Sequence, residues 1–270
     1  MFARIAIASM VGAVVLSSHR LDAGPATAPA GLKDIATPLN FRPLAADQTA
    51  LEVSGLYIHD ITDSKGINIT ATTTPGKPVW YYRAIAIRNC LLERIGRSEA
   101  GMRQGLHTDF IRIAGGGDQQ DQPTQVLIQD VTLRDGDSLP LLIQDGRFSS
   151  VTLRRVRIAN TAVGVQLAAI NTGRFDHVLI DECPGLRVAL MGRPGSIGTC
   201  IVRNSPGAAV GDTLTKNGRS GARIVHQTPP APATRPATPS TTAPAATATA
   251  PAEDRDLVIG GRRYRVVELE

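Results

Sequence analysis

The sequence predicts an all-β protein, a parallel β-helix solenoid of about six coils. Three observations predict it. One short pattern recurs six times, its apolar residues alternate at the period of a strand, and no segment between copies carries a helical period. The copies occupy residues 56–61, 85–90, 126–131, 151–156, 178–183 and 200–205. Most begin about 22 to 29 residues after the previous one, and one step is longer, about 41. A sustained period in that range marks stacked coils, each covering the apolar face its neighbour leaves open.

Each element follows from its residues. Val126, Ile128, Val131 and Leu133 alternate and then skip two polar positions, as do Val151, Leu153, Val156 and Ile158. The alternation is that of a strand. The skipped polar pair, with Asn89, Asp130 and Asn204 among its members, is where the chain bends, because Asn and Asp tolerate left-handed backbone. A second strand is expected in most coils, over residues 66–69, 110–113, 141–143, 163–167, 186–190 and 208–210. A leucine-rich repeat has a comparable period but carries a Leu ladder and a helical return segment.

The two ends are not core material. Residues 1–23, with Arg4, an apolar run over 5–16 and a small residue at Ala23, read as a secretory signal peptide. Residues 24–50 read as a leader and N-terminal cap, 51–227 as the β-helix, and 228–253 as a Pro/Ala/Thr linker too poor in large apolar residues to fold. Residues 254–270 read as a short β-hairpin tail turning at Gly260-Gly261. No transmembrane segment is expected after signal cleavage. The expected location is outside the cytoplasm: secreted, periplasmic or at the cell surface.

Export permits disulfides, yet the spacing argues against them. Cys90 and Cys183 hold the same repeat position three coils apart, roughly 14 Å at the usual inter-strand spacing, and Cys200 is out of register with both. All three read as buried thiols, and no metal-ligand spacing is present. The formal net charge of +5 suits an acidic partner such as an anionic glycan, or serves solubility alone. The basic residues are scattered rather than clustered, which argues against nucleic acid.

The runs 85–92, 126–133 and 151–158 resemble those of the right-handed parallel β-helix, the pectin-lyase-like superfamily. The resemblance spans roughly residues 51–225. It implies a fold shared by polysaccharide lyases, polygalacturonase-type hydrolases, epimerases and adhesins. The Asn-Thr-Asp, Asp-Asp and Gly-His-Gly signatures of the polygalacturonase branch are missing, as is the Trp-Ile-Asp-His pattern of pectate lyases. Fold alone therefore assigns no reaction.

Candidate site residues lie where the repeat is lengthened, since inserted loops carry the binding faces of solenoids. The insertions 93–106 and 115–122 flank the strand at 110–113. His107, Asp109 and Arg112 are the catalytic candidates there: a base beside a carboxylate, and a guanidinium to neutralise a uronate. Alternation turns His107 and Asp109 inward, which favours a structural corner instead. Trp80, Tyr81 and Tyr82, the one aromatic cluster, are candidate sugar platforms or an edge seal. Gln144, Asp145 and Gln166 are expected to continue the outward polar row beyond Arg112.

Asp118, Asp121, Asp135 and Asp137 admit a calcium site or a glycosidase carboxylate pair beside ordinary turn chemistry, and no cofactor is expected. The function expected is binding of an acidic polysaccharide or cell-surface glycan, with lyase- or glycosidase-like cleavage as its catalytic form. The alternative is a non-catalytic surface, adhesion or structural module.

Overall fold

The computed structural model describes residues 29–73, 75, 77–161, 163–227, 255–259 and 262–266. The expected signal peptide at 1–23 and the linker at 228–253 lie outside the described residues. The first layer holds β1 (Lys33–Ile35) and β2 (Leu39–Phe41), and the second holds β3 (Ala50–Ser54), β4 (Leu56–Thr62) and β5 (Ile67–Thr70). Then come β6 (Ala84–Gly96), the short helix α1 (Glu99–Arg103) and β7 (Asp109–Ala114). The strands β8 (Thr124–Gly136) and β9 (Leu139–Gln144) follow, then β10 (Arg147–Arg154), β11 (Arg157–Thr161) and β12 (Val165–Ala169). The column ends with β13 (Arg174–Asp181), β14 (Arg187–Gly192), β15 (Ile197–Arg203), β16 (Ala209–Thr213) and β17 (Arg223–Gln227). Further on, β18 (Arg255–Ile259) pairs antiparallel with β19 (Arg262–Val266).

These strands form two long sheets consistent with a solenoid. The first runs β1-β4-β6-β8-β10-β13-β15-β17, with β3 also paired to β6 and β11 to β8. The second runs β16-β14-β12-β9-β7-β5-β2. Every strand pairing within the two sheets is parallel. The second sheet has seven strands among the described residues, one more than the repeat spacing suggests. The addition is β2, in the segment expected to be a cap, which pairs with β5 in register from Leu39 to Phe41.

Inward rows explain why the layers stack. Val53, Ile87, Ile128, Leu153, Ile180 and Val202 follow one another in register across the first sheet, and all are buried. Ile69, Ile113, Ile143, Leu167 and Leu190 do the same in the second. Full burial of each such side chain contributes about 1.5–3 kcal/mol before entropy is counted. Phe148 and Phe175 add a parallel aromatic stack, with ring centroids 4.8 Å apart.

The bends sit where the polar pairs predict them. Asn89, Asp130, Arg155, Glu182 and Asn204 all have φ between 49° and 55°, and Gly55 occupies the same corner with φ 68°. Asp60, Arg94, Asp135 and Asn160 make a second left-handed row. The 13-residue strands β6 and β8 are therefore folded twice, at 89 and 94 and at 130 and 135. Ion pairs cross the layers on the outer face: Arg203 Nε lies 3.0 Å from Asp181, and Arg155 Nε lies 2.6 Å from Asp130. All three cysteines are buried free thiols.

One helix departs from the all-strand expectation. Ser98 caps α1, accepting from the Gly101 amide and donating its hydroxyl to Asp63. No helix among the described residues is long and apolar enough to cross a membrane.

Candidate functional site

A partly open cleft of about 840 Å³ lies beside the first layers, and Lys77, Trp80, Tyr81, Arg83, Gln119 and Asp121 supply its chemistry. Its volume falls within the usual range of ligand sites. Three chain segments meet to make it. The strap before β6 is closed by a backbone bridge, with Thr72 N donating to Trp80 O at 2.7 Å and Trp80 N to Thr72 O at 3.0 Å. Thr49 and Ala46, from the turn before β3, form part of the wall. The third segment is the loop between β7 and β8, which includes a single 3-10 turn at Gly117–Gln119.

Buried Gln120 organises that loop. Its Oε1 accepts from the amides of Gly116 and Arg147, both at 3.1 Å. Its Nε2 donates to Gln122 O, Thr124 Oγ1 and Arg147 O within 3.0 Å. Backbone carbonyls of Gln144 and Asp145 accept from Gly115 N and Gly117 N, both at 3.1 Å. Loop and strap then touch: a Cβ on Gly116 would lie 3.0 Å from Val79 Cγ1, so only glycine fits without displacement.

The cleft carries cations and an aromatic wall. Trp80 and Tyr81 are half-buried, whereas Lys77 and Arg83 are exposed and lie within 4 Å of no carboxylate among the described residues. Tyr81 Oη donates to the Asp121 carboxylate and accepts from Gln122 N at 2.7 Å. That bond holds Asp121 below the usual carboxylate range, so it is ionised at neutral pH. Burial, and then the Asp121 contact, push the Tyr81 hydroxyl up, keeping it a donor.

The sequence-derived candidates divide. Trp80 and Tyr81 line the cleft. Tyr82 does not: it is buried in the core, because the chain turns into β6 there and the third aromatic falls on the inner side. His107, Asp109, Arg112, Gln144, Asp145 and Gln166 are not among the cleft-lining residues. Gln144 also departs from the expected row. Leu142 stands beside Arg112, Gln166 beside Leu142, and Gln144 beside Ala114 and Ala168. Alternation assigns a residue to a face but leaves its register free by steps of two. Asp145 occupies a left-handed corner at φ 43°, its carboxylate accepts from Asn171 at 3.4 Å, and it touches the cleft loop through its backbone carbonyl, which accepts from Gly117 N.

The three catalytic candidates lie within six residues of one another, in β7 and just before it. His107 is exposed, not turned inward, because β7 begins only at Asp109 and the alternation does not reach back to it; its backbone carbonyl accepts from Lys65 Nζ at 3.1 Å. Asp109 is buried as alternation predicts, and its Oδ2 has no hydrogen-bond partner. Burial raises its pKa against the pull of Lys65, Arg112 and His107. Arg112 is half-buried with an unpartnered Nε. No hydrogen bond joins the three among the described residues. No group of three or more His, Cys, Asp or Glu side chains among the described residues could hold a metal ion.

Sequence reasoning missed a second polar cluster, on the first sheet. His59 and Glu93 are buried and stand in register with each other and with Arg134. Tyr57 donates to Glu93, Arg94 contacts Glu93 and Asp60, and Arg134 Nη2 lies 2.6 Å from Glu93. The repeat alignment hid it: the sequence sets 56–61 against 85–90 and so His59-Asp60 over Arg88-Asn89, whereas β4 pairs five residues further along β6, with His59 on Glu93, because β3 takes the 84–88 segment.

No family model, curated protein or solved structure matches the chain.

Proposed function

We propose that this is an exported right-handed parallel β-helix, pectin-lyase-like in form, that binds an acidic polysaccharide in the cleft between the strap and the 115–122 loop. One observation carries the reading: Trp80 and Tyr81 stand beside Lys77 and Arg83 in one partly open cleft. Aromatic faces stack on sugar rings, and the two cations suit the carboxylates of uronates. Gln119 and Asp121 offer acceptors to sugar hydroxyls, and Asp121 also disfavours the most densely charged chains.

Calorimetric titration with uronate oligosaccharides and their neutral counterparts tests the proposal. Binding is expected for the acidic series alone, weakening with salt, and Trp80→Ala or Arg83→Gln should each cost about tenfold, ~1.4 kcal/mol. Equal affinity for the neutral series, or affinity unchanged in both variants, would overturn it.

Cleavage is a second reading, favoured by the unpartnered Asp109 carboxyl, which burial pushes up and which Lys65, Arg112 and His107 pull down. In an elimination, His107 would take the proton α to the carboxylate and Arg112 would neutralise the uronate, with a protonated Asp109 donating to the departing oxygen. Ultraviolet absorption of unsaturated products, absent in Asp109→Asn, is its signature. A wild-type protein that binds uronates yet yields no such product is a binding module.

A further inference from the structure

The densest set of ionisable side chains outside the cleft surrounds His59. Its Nδ1 lies 2.6 Å from Asp60 Oδ2 and its Nε2 lies 2.6 Å from Asp34 Oδ1. Ionised carboxylates only accept hydrogen bonds, and a neutral imidazole has one N–H. Both contacts are hydrogen bonds only when the ring carries both protons. Removal of one would set a nitrogen lone pair against a carboxylate oxygen, and one contact would have to break.

The surroundings decide which one. Asp60 is clamped by Arg94, whose Nε and Nη2 donate to it at 2.6 and 3.0 Å. Those bonds, led by the Arg94 contact, depress Asp60 to about 2. The Asp34 carboxylate has no hydrogen-bond partner but His59 among the described residues, and Asp34 sits on β1, a three-residue edge strand paired with β4 alone. The remaining groups packed around the ring are committed elsewhere. Tyr57 stacks on it at 4.4 Å, and Glu93 is held by Tyr57, Arg94 and Arg134. Burial alone would lower the His59 pKa, but the contacts with Asp60 and Asp34 outweigh it and the net direction is upward.

Behind Asp34 lies the first layer. Strand β2 pairs with β5 alone, and the following turn puts Ala46 and Thr49 on the cleft wall. Its other side-chain hydrogen bonds are few, Asn68 donating to Asn40 at 3.0 Å and Thr72 to Pro43 O at 2.6 Å, and its apolar hold is the partly buried packing of Ile35, Leu39 and Phe41 on the core. We propose that protonated His59 is a pH-sensitive latch that holds residues 33–49 on the column, and with them one wall of the cleft. The second half of that statement rests on the glycan reading above.

The sign follows from linkage. The latch is fully engaged below the ordinary His value of about 6.5 and is lost as pH rises through the raised folded value. Hydrogen exchange of the full chain, corrected for intrinsic rates, reads it without any ligand. Amide protection over 33–41 should fall about tenfold or more between about pH 6 and pH 9, while 174–203 stays unchanged as an internal reference. Asp34→Asn should keep 33–41 protected at the higher pH, because its amide can donate to the bare ring nitrogen. His59→Gln should flatten the profile. Protection over 33–41 that is flat with pH in the wild type overturns the latch, as does a His59 ring that titrates below 6.5 by NMR.

Glycan affinity over the same range separates the two ideas. Affinity that falls with protection supports the coupling, and constant affinity during loss of protection overturns it. Failure to bind at any pH overturns the cleft reading and leaves the latch standing.

Discussion

Asn89 shows what a single residue does in this chain. It is exposed, sits at φ 49° between two strand segments of β6, and turns the backbone where its neighbours in adjacent layers turn theirs. Asn accepts this region at little cost, whereas a β-branched side chain does not. Asn89→Val should therefore lower stability by about 1–2 kcal/mol, and Asn89→Gly should be near neutral. Chemical denaturation measures both, and equal effects would mean that the corner is not conformationally demanding. These corners were legible because a polar pair set into strict alternation breaks the strand at a definite place. Tyr82 was less legible. Three adjacent aromatics carry no period, and which of them faces inward depends on how the chain enters β6.

At the level of elements, strand assignment was plain and strand alignment was not. Most inward residues announce themselves by being Val, Ile or Leu, but the outward residues of β7, β9 and β12 carry no pattern that fixes Gln144 against one neighbour rather than another. Strands β1 and β2 were illegible for a different reason: three residues cannot display an alternation. The cleft was legible only in part. Its aromatics stood out by composition, but the wall joins Ala46 and Thr49 to the strap from Lys77 to Tyr81 and to Gln119 and Asp121, which only the stacking of layers brings together.

Buried Gln120 joins the loop's ends, and its five hydrogen bonds would all be lost in Gln120→Leu. Each stranded buried partner costs about 1–3 kcal/mol. The variant should melt earlier and lose uronate binding while keeping its far-ultraviolet β spectrum. Full binding by Gln120→Leu would show that the loop is not part of the site.

Across the whole molecule, stability is set by contacts between adjacent layers, so opening should begin at the ends. The cysteines report it. Burial raises the pKa of all three thiols, that of Cys200 to about 12, so native alkylation should be slow at neutral pH. Cys200 lies in β15, one strand from the edge strand β17, and should be modified before Cys90 and Cys183 in partial denaturant. Peptide mass spectrometry after timed alkylation gives the order. Simultaneous labelling of all three would mean that the column opens as one unit.

The uninterrupted alignment of β13 with both β10 and β15 has an architectural corollary. What that strand offers to the strand above closely matches what it receives from the one below: Phe175 lies on Phe148, and Val178 joins Val151 to Cys200. A tandem copy of residues 175–196 would meet familiar partners on either side, so the molecule should grow by one storey while the distant cleft keeps its shape.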